Sequence, residues 1–331
     1  MPNQHRTSAC GNIRLTLCTA EQAMQERIDD AKPGHFIDVC GSEESAEKIQ
    51  LPIIMAFCDS INTECESHPD ATIFVCPESK TSTALANACL LFGAYRILCQ
   101  DVGMDQLVVE MKEALDEIEA DHRHTRIQQQ PSTRHKIIMD SWVALHQARA
   151  LNWLGARPSE VSEPLLDVEM ATHYARPING NIHILIPGKL ILFPTPHQLP
   201  AGHDWADDSD GARNFSAGFL AELLEDLGVA AVACLGRVHD ADAAAFRGCA
   251  LDVHELGLDP RRPALLPAMD RLLAVSRAAP GAVALCGGGG GAAGEDVVET
   301  MAAAWLMREC GFGEGAAGAW LRMVRPRACL T

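Results

Sequence analysis

Short apolar runs and longer stretches of helical spacing alternate along this chain. Residues 71–76 form one such run, which predicts a buried strand ending at Cys76. The stretch that follows predicts a helix, because apolar residues recur in it at helical spacing at Leu85, Cys89, Phe92 and Tyr95. In the second half, residues 282–285 predict a strand that leads into Cys286. A glycine-rich loop follows, and after it a helix is predicted whose apolar face consists of Val298, Met301, Ala302 and Trp305. The repeated order of strand, cysteine, turn and helix indicates an internal duplication of an α/β unit.

Further helices and strands are predicted between these two units. A helix that ends at Gly155 is predicted from the spacing of Ile138, Trp142, Leu145 and Ala148. Residues 181–193 predict a hairpin around Pro187 and Gly188. A helix from Ser216 to Leu227 is predicted, with Ser216 as its N-cap and Gly228 just past its end. A buried strand at 229–235 and a helix at 264–279 follow, whereas the acidic stretch "HDWADDSDG" at 203–211 predicts a solvated loop.

This alternation of strands and helices predicts an α/β fold with two tandem domains. Each domain is expected to have a central, largely parallel sheet flanked by helices, and a linker helix is expected to join the two. We place the N-terminal domain at residues 1–155, the linker at 156–176 and the C-terminal domain at 177–331.

The composition narrows the class of protein. With 47% hydrophobic and 21% charged residues, the chain has the composition of a soluble globular protein. It contains no run of eighteen apolar residues, and its first residues lack the apolar core of a secretory signal, so neither a membrane span nor secretion is expected. The net charge of −17 disfavours nucleic acid as a partner and suits a basic partner. Thirteen cysteines without a C-x-x-C pair indicate reduced thiols, as in the cytoplasm or nucleus.

The stretch "AVALCGGGGGAAGEDVVETM" at 282–301 has the layout of a loop that wraps a phosphate between a strand and a helix. A dinucleotide site would match Gly289, Gly291 and Gly294, but the segment after them predicts helices and no second strand to hold a ribose. A nucleoside-triphosphate loop would need lysine after Gly294, where the chain has Glu295. Neither nucleotide interpretation therefore accounts for the loop.

The third interpretation is the loop of a cysteine-dependent phosphatase. Such a loop has a thiolate at the end of a strand, backbone N–H groups aimed at the phosphoryl oxygens, and a helix N-terminus behind them. An arginine six residues after the cysteine normally lowers the thiol pKa and grips two phosphoryl oxygens. Six residues after Cys286 stands Ala292, and six residues after Cys76 stands Ser82, so both loops lack the arginine.

Several segments, in order and at the right spacing, carry a resemblance to one family from about residue 35 onward. They are "ALANACLLFGAYRIL", "ILIPGKLILFPTPH", "LGVAAVACL", "AVALC" with its glycine loop, and "AWLRMVRP". The chain resembles the cell-division-cycle-fourteen type of dual-specificity protein phosphatase. The resemblance implies two protein-tyrosine-phosphatase-like domains in tandem, of which only the second is catalytic.

The resemblance assigns roles to individual residues of this chain. Cys286 falls on the nucleophile and Asp259 on the general acid, and the phosphate-binding loop comprises Gly287, Gly288, Gly289, Gly290, Gly291, Ala292 and Ala293. The family's histidine before the nucleophile is Leu285, its arginine is Ala292 and the hydroxyl residue after that is Ala293. The family's glutamine-bearing loop would follow Pro326 by several residues; since this sequence continues for only five residues after Pro326, the loop is expected to be absent. Losing such an arginine lowers rates by roughly 10³ to 10⁵, by analogy with arginine fingers.

These losses favour a pseudophosphatase that binds phosphoproteins or scaffolds partners, without a cofactor or metal. The alternatives are an active or weak phosphatase for phosphoserine, phosphothreonine and phosphotyrosine that uses Cys286 and Asp259, and a purely structural protein. The resemblance implies partners with phosphoserine-proline sites followed by basic residues. It also implies a location in the cytoplasm or nucleus, including the cytoskeleton. Neither nucleic acid nor a membrane is expected as a partner.

Simpler interpretations of the same residues stay open. Cys286 could be an ordinary buried thiol, and Asp259 could begin a turn before Pro260. Cys76 is expected to belong to the core. The stretch "DHRH" at 121–124, with His135, lacks the spacing of a zinc site and is expected to lie in a solvated linker. Trp305 and Trp320 are expected to anchor their helices in the core.

Overall fold

The computed structural model describes most of the chain, with gaps between the described ranges. These ranges are 8–10, 13–15, 34–39, 48–68, 72–77, 81–125, 133–155, 164–200, 202–209, 211–258, 265–287 and 292–325. The chain divides into two units, Met1–Glu163 together with Gly318–Thr331, and Pro164–Ala317.

The described part of the first unit combines paired strands with five helices. Strands β1 (Ser8–Cys10) and β2 (Ile13–Leu15) pair antiparallel, whereas β3 (Gly34–Val39) pairs parallel with β4 (Thr72–Pro77). The helices are α1 (Leu51–Ser67), α2 (Ser82–Gln100), α3 (Met104–Glu110), α4 (Lys112–Thr125) and α5 (Thr133–Ala150). Helix α1 follows β3 and precedes β4, which is the connection that parallel strands require.

Helix α2 lies at the centre of this unit. Its N-cap is Thr81, whose hydroxyl accepts a hydrogen bond of 3.2 Å from the Ala84 N–H. Nearly all of its residues are buried, including the predicted Cys89, Phe92 and Tyr95, because it packs against α1, α4, α5 and β4. Among the described helices, α2 alone is long and apolar enough to cross a membrane, with a mean hydropathy of 1.3. Since 83% of that stretch is buried inside the fold, this is a weak indication of a membrane span.

Helix α5 packs directly on α2. All four residues predicted for its apolar face are buried, and Trp142 has no exposed surface. The Trp142 indole donates a hydrogen bond of 3.1 Å from Nε1 to the Leu90 carbonyl of α2. After α5, Trp153 packs on Trp320 with ring centroids 5.3 Å apart, which confirms Trp320 as a core residue.

The second unit is built on one five-stranded sheet and its flanking helices. In chain order its elements are α6 (Val168–Ala175), β5 (His183–Ile186), β6 (Leu190–Leu192), β7 (Trp205–Asp207), β8 (Arg213–Phe215), α7 (Ala217–Asp226), β9 (Val229–Cys234), α8 (Asp240–Gly248), β10 (Asp252–Glu255), α9 (Leu265–Ala278), β11 (Ala282–Cys286), α10 (Ala292–Cys310) and α11 (Glu314–Val324). The strand order in the sheet is β10-β9-β11-β6-β5. Four of these strands are parallel, and β5 pairs antiparallel with β6. The last helix, α11, begins in this unit and passes into the first unit at Gly318.

The order of strands places the helices on both faces of the sheet. Helix α7 lies on the connection from β6 to β9, and α8 connects β9 to β10, so both connections run towards the β10 edge of the sheet. Helix α9 connects β10 to β11 and runs in the opposite direction across the sheet. Because parallel crossovers are right-handed, these opposite movements put α7 and α8 on one face and α9 on the other. Consistently, α7 packs on α8, and α9 packs on α10. The inner strands are therefore buried on both faces, as the unbroken apolar runs predict.

Most of the local predictions for this unit are confirmed. Residues 181–193 form the β5–β6 hairpin, and the strands at 229–235 and 282–285 are β9 and β11. The Ser216 hydroxyl caps α7 by accepting a 3.2 Å hydrogen bond from the Phe219 N–H, and Gly228 follows the helix with a φ of 74°. The α10 residues predicted to share a face, Trp305 among them, are all buried.

The solvated loop predicted at 203–211 is wrong in part. This stretch contains β7, which pairs antiparallel with β8. The Asp207 carboxylate accepts a 2.6 Å hydrogen bond from Arg213 Nε, and Trp205 packs on Phe219 with ring centroids 5.8 Å apart. Most described residues of the stretch are exposed, as predicted, but they form a hairpin with a cross-strand ion pair and an aromatic contact in place of a loop.

The prediction for "DHRH" at 121–124 also needs correction, because these residues belong to α4 and not to a linker. Helix α8 and strand β10 are among the elements that were not predicted. Helix α8 is short and rich in alanine and aspartate, so its periodic signal is weak.

The α/β class and a largely parallel central sheet flanked by helices are confirmed. Within the described residues, the strands of the first unit pair only two by two. Of the linker predicted at 156–176, residues 156–163 lie outside the described part of the chain, and the remainder holds α6. The domain boundaries at 155 and 177 stay predictions.

Candidate functional site

The candidate site lies where the parallel strands of the second unit end. Cys286 is the last residue of β11, the central strand, and Cys234 is the last residue of the neighbouring β9. The two residues are partners in the strand register. In open α/β sheets, ligands bind outside the carboxyl ends of the strands, so this edge is where a site is expected.

Backbone hydrogen bonds hold this edge together beyond the ends of the strands. The Leu235 N–H donates to the Cys286 carbonyl at 3.1 Å, and the Leu256 N–H donates to the Cys234 carbonyl at 2.8 Å. The Leu258 N–H in turn donates to the Leu235 carbonyl at 2.7 Å. The carbonyl groups of both cysteines are therefore held by hydrogen bonds before the loops begin.

The Cys286 thiol is deeply buried, with 1% of the residue exposed. Its Sγ lies 2.9 Å from the Sγ of Cys234. The hydrogen bond with Cys234 and burial together raise the pKa of the Cys286 thiol well above its ordinary value of 9.0, and the nearby carboxylate of Asp242 adds to the rise. A nucleophilic cysteine needs the opposite, a lowered pKa that supplies thiolate at neutral pH.

Asp242 is a buried carboxylate close to this thiol. It belongs to the first turn of α8, and 7% of its surface is exposed. Gln198 Nε2 donates a hydrogen bond of 3.1 Å to Asp242 Oδ1. A negative charge held beside Cys286 opposes formation of a thiolate there, because like charges repel strongly in a poorly solvated site.

The segment that follows β6 fixes the start of the glycine loop. The Phe193 N–H donates to the Leu285 carbonyl at 3.2 Å, which extends the pairing of β6 with β11. The Thr195 hydroxyl donates a short hydrogen bond to the carbonyl of Gly287, the first residue of the loop. Gln198, from the same segment, reaches Asp242. These contacts tie the beginning of the loop to two other elements of the unit.

Four of the predicted site residues, Cys286, Gly287, Ala292 and Ala293, fall inside the described chain and the others do not. Gly287 is half-buried, and α10 begins at Ala292, so Ala292 and Ala293 lie in its first turn. Gly288–Gly291 and Asp259 lie outside the described residues. The structure therefore places the two ends of the predicted loop, which are Cys286 with Gly287 and the start of α10. The middle of the loop and the predicted general acid lie outside the described residues.

The charges at this edge are mixed. Asp242 is buried beside the thiol, and Asp296 is exposed near the start of α10. Arg237 is exposed on the turn that follows β9, at the same edge of the sheet. An anion bound at this edge would accept hydrogen bonds from backbone N–H groups and would lie at the N-terminus of α10. Among the described residues, Arg237 is a cationic side chain at the same edge of the sheet.

The other predicted positions have structural roles in the described chain. Cys76 is buried in β4, as expected for a core residue. His135 Nδ1 lies 3.6 Å from Glu119 Oε2, which joins α5 to α4. Within the described ranges, no group of three or more histidine, cysteine, aspartate or glutamate residues is arranged to hold a metal ion.

Four residues of the site were missed from the sequence. Cys234 could have been found, because the strands predicted at 229–235 and 282–285 each end near a cysteine. Thr195, Gln198 and Asp242 gave no signal, since their roles depend on tertiary contacts across long stretches of chain.

Comparison with known proteins gives no family assignment. No model of a known protein family matches the chain, and no curated protein matches it significantly.

Proposed function

We propose that this chain is a pseudophosphatase related to the cell-division-cycle-fourteen type of dual-specificity phosphatase, which binds phosphorylated protein without hydrolysing it. The observation that carries the proposal is the arrangement around Cys286. The cysteine ends the central parallel strand, a glycine loop follows, and a helix of 19 residues begins at Ala292. This arrangement suits an anion-binding site, whereas the raised pKa of the Cys286 thiol disfavours the thiolate that hydrolysis would require.

Three features support binding over catalysis. The pKa of Cys286 is raised by the thiol of Cys234 and by burial, so little thiolate is available as a nucleophile. Where such phosphatases have an arginine that binds the phosphoryl oxygens, this chain has Ala292, whose side chain has no hydrogen-bond donor. The carboxylate of Asp242 near the thiol disfavours a further build-up of negative charge at the sulfur.

The proposed partners are phosphoproteins, with phosphoserine-proline sites followed by basic residues as the first class to examine. The net charge of −17 is compatible with basic residues beside the phosphate. On this proposal the two units are phosphatase-like domains, and the protein acts in the cytoplasm or nucleus.

The absence of hydrolysis is tested with four purified proteins and a small aryl phosphate. These are the native chain, Cys286→Ser, Ala292→Arg and the double variant. We expect the native chain and Cys286→Ser to show the same background rate, because a protonated thiol without an arginine does not attack the phosphorus. Native hydrolysis that Cys286→Ser abolishes would establish the alternative, a working phosphatase.

The two arginine variants show whether the loop keeps a catalytic geometry. A lost phosphate-gripping arginine lowers rates by roughly 10³ to 10⁵. We therefore expect Ala292→Arg to show measurable hydrolysis that disappears in the double variant. An equal rate of hydrolysis in both arginine variants would show that the Cys286 sulfur is not the nucleophile in any hydrolysis that the new arginine produces.

A further inference from the structure

A cluster of polar and sulfur-bearing side chains lies between helices α1 and α2 of the first unit. The Tyr95 hydroxyl of α2 donates a hydrogen bond of 3.3 Å to Asn62 Oδ1 of α1. The nitrogen of the same amide, Asn62 Nδ2, donates to Cys99 Sγ of α2 at 4.0 Å. The Cys99 thiol also shares a hydrogen bond with the thiol of Cys58 of α1. Two thiols on different helices are therefore in contact inside a packed interface.

We propose that Cys58 and Cys99 form a reversible disulfide when the protein meets a hydroperoxide, which joins α1 covalently to α2. A disulfide bond is about 2.05 Å long, so the two sulfurs must approach from hydrogen-bond contact before the bond forms. The pair belongs to the first unit and shares no residue with the glycine loop. The proposal therefore stands or falls separately from the proposed function.

We assign Cys99 as the sulfur that attacks the peroxide. Cys99 keeps 5% of its surface exposed, whereas Cys58 has none. The amide N–H of Asn62 stabilises negative charge on the Cys99 sulfur, because a hydrogen bond donated to the charged form of a group favours that form. The pKa of Cys58 is raised well above its ordinary value of 9.0 by the hydrogen bond with Cys99 and by burial, so Cys58 remains a protonated thiol until the second step.

The reaction proceeds in two steps. In the first step the Cys99 sulfur attacks the O–O bond of hydrogen peroxide; an S–O bond forms, the O–O bond breaks, and the thiol proton leaves with the departing oxygen as water. In the second step the Cys58 sulfur attacks the sulfenic sulfur of Cys99; the S–S bond forms, the S–O bond breaks, and the departing hydroxide takes the Cys58 proton as water. Two thiols are oxidised, and one peroxide is reduced to two waters.

Cys65 of α1 is the competing partner for the sulfenic sulfur. It is half-buried, and its thiol shares a hydrogen bond with the hydroxyl of Tyr95. Cys58 is already in contact with Cys99, and groups held in contact react with a very high effective concentration. We therefore expect Cys99 to be joined to Cys58 and not to Cys65.

The test uses the full, folded, reduced chain treated with hydrogen peroxide, after which the free thiols are alkylated. Digestion with trypsin and with a protease that cuts before aspartate places Cys58 on residues 49–58, Cys65 on residues 59–69 and Cys99 on residues 97–100. Mass spectrometry then distinguishes the possible pairs. We expect the peptides 49–58 and 97–100 to be recovered joined, and dithiothreitol to separate them.

Cys89 of α2 is the matched control for the removal of a buried sulfur. Burial alone raises its pKa, which makes it a buried thiol without such a contact. We expect the joined peptides to persist in Cys89→Ala. In Cys58→Ala the sulfenic acid of Cys99 loses the thiol in contact with it, so we expect Cys99 to be recovered as an oxyacid.

Either of two results overturns the proposal. One is recovery of Cys99 in the native chain as an alkylated thiol, as an oxyacid or joined to residues 59–69, under conditions that oxidise the half-buried Cys249 and Cys310. The other is a cross-link that forms only when circular dichroism shows the chain to be unfolded. Both results are read on the native sequence, so neither depends on how well a variant folds.

Discussion

Replacing Gly93 by alanine is expected to lower the free energy of unfolding of the first unit by about 3 kcal/mol, at the upper end of the usual range for overpacking a core. A β-carbon at Gly93 would lie 2.5 Å or less from three atoms of the Trp142 indole. The indole cannot simply turn away, because it is fully buried and its Nε1 donates to the Leu90 carbonyl. Helices α2 and α5 must therefore separate, or the indole must give up its hydrogen bond.

Urea denaturation followed by tryptophan fluorescence and far-ultraviolet circular dichroism measures this loss. The matched control is Gly103→Ala. Gly103 precedes α3 in an extended conformation, and a β-carbon there meets nothing within 4 Å. We expect the control to change stability by no more than about 0.5 kcal/mol. Equal midpoints for the native chain and Gly93→Ala would contradict the packing described for α2 and α5.

Alkaline pH is expected to destabilise the reduced protein strongly. The thiols of Cys58 and Cys286 have raised pKa values, first because each shares a hydrogen bond with a second thiol and then because each is buried. Burial alone raises the pKa of Cys89. A group whose pKa is raised on folding contributes stability that is fully present below its unfolded pKa, here 9.0, and is lost as the pH rises towards the folded pKa.

The expected loss between pH 7 and pH 10 is about 4 kcal/mol summed over these three thiols. Each thiol that ionises only on unfolding contributes about 1.4 kcal/mol at one unit above its ordinary pKa. Urea denaturation at a series of pH values, with a reducing agent present, measures the slope. Cys89→Ala should reduce the loss of stability between pH 7 and pH 10 by about 1.4 kcal/mol. A stability that stays constant up to pH 10 would show that these thiols ionise in the folded protein.

The second unit could be predicted well from the sequence because its signals are local. The strands β9 and β11 are unbroken apolar runs, which a parallel sheet covered on both faces requires. The cap at Ser216 and the turn at Gly228 follow from residue chemistry alone. By contrast, β7 and β8 are three residues long, and the ion pair and aromatic contact that fix them carry no periodic signal.

The candidate site could be predicted only in outline. Cys286 and the helix that begins at Ala292 follow from a strand, a glycine run and a helical period. The environment of the thiol does not, because Cys234 and Asp242 reach it through sheet register and helix packing. That environment decides the chemistry, since it keeps the thiol protonated.

The central claim, that the glycine loop binds phosphate, is tested most directly by nuclear magnetic resonance of the native chain labelled with ¹⁵N-glycine. Inorganic phosphate is added at constant ionic strength, with chloride as the control anion, and Gly289→Ala assists assignment of the loop signals. We predict that the amide signals of glycines 287–291 move and saturate with phosphate, while those of Gly103 and Gly248 stay in place. Loop signals that do not move with phosphate, or that move equally with chloride, would contradict the account.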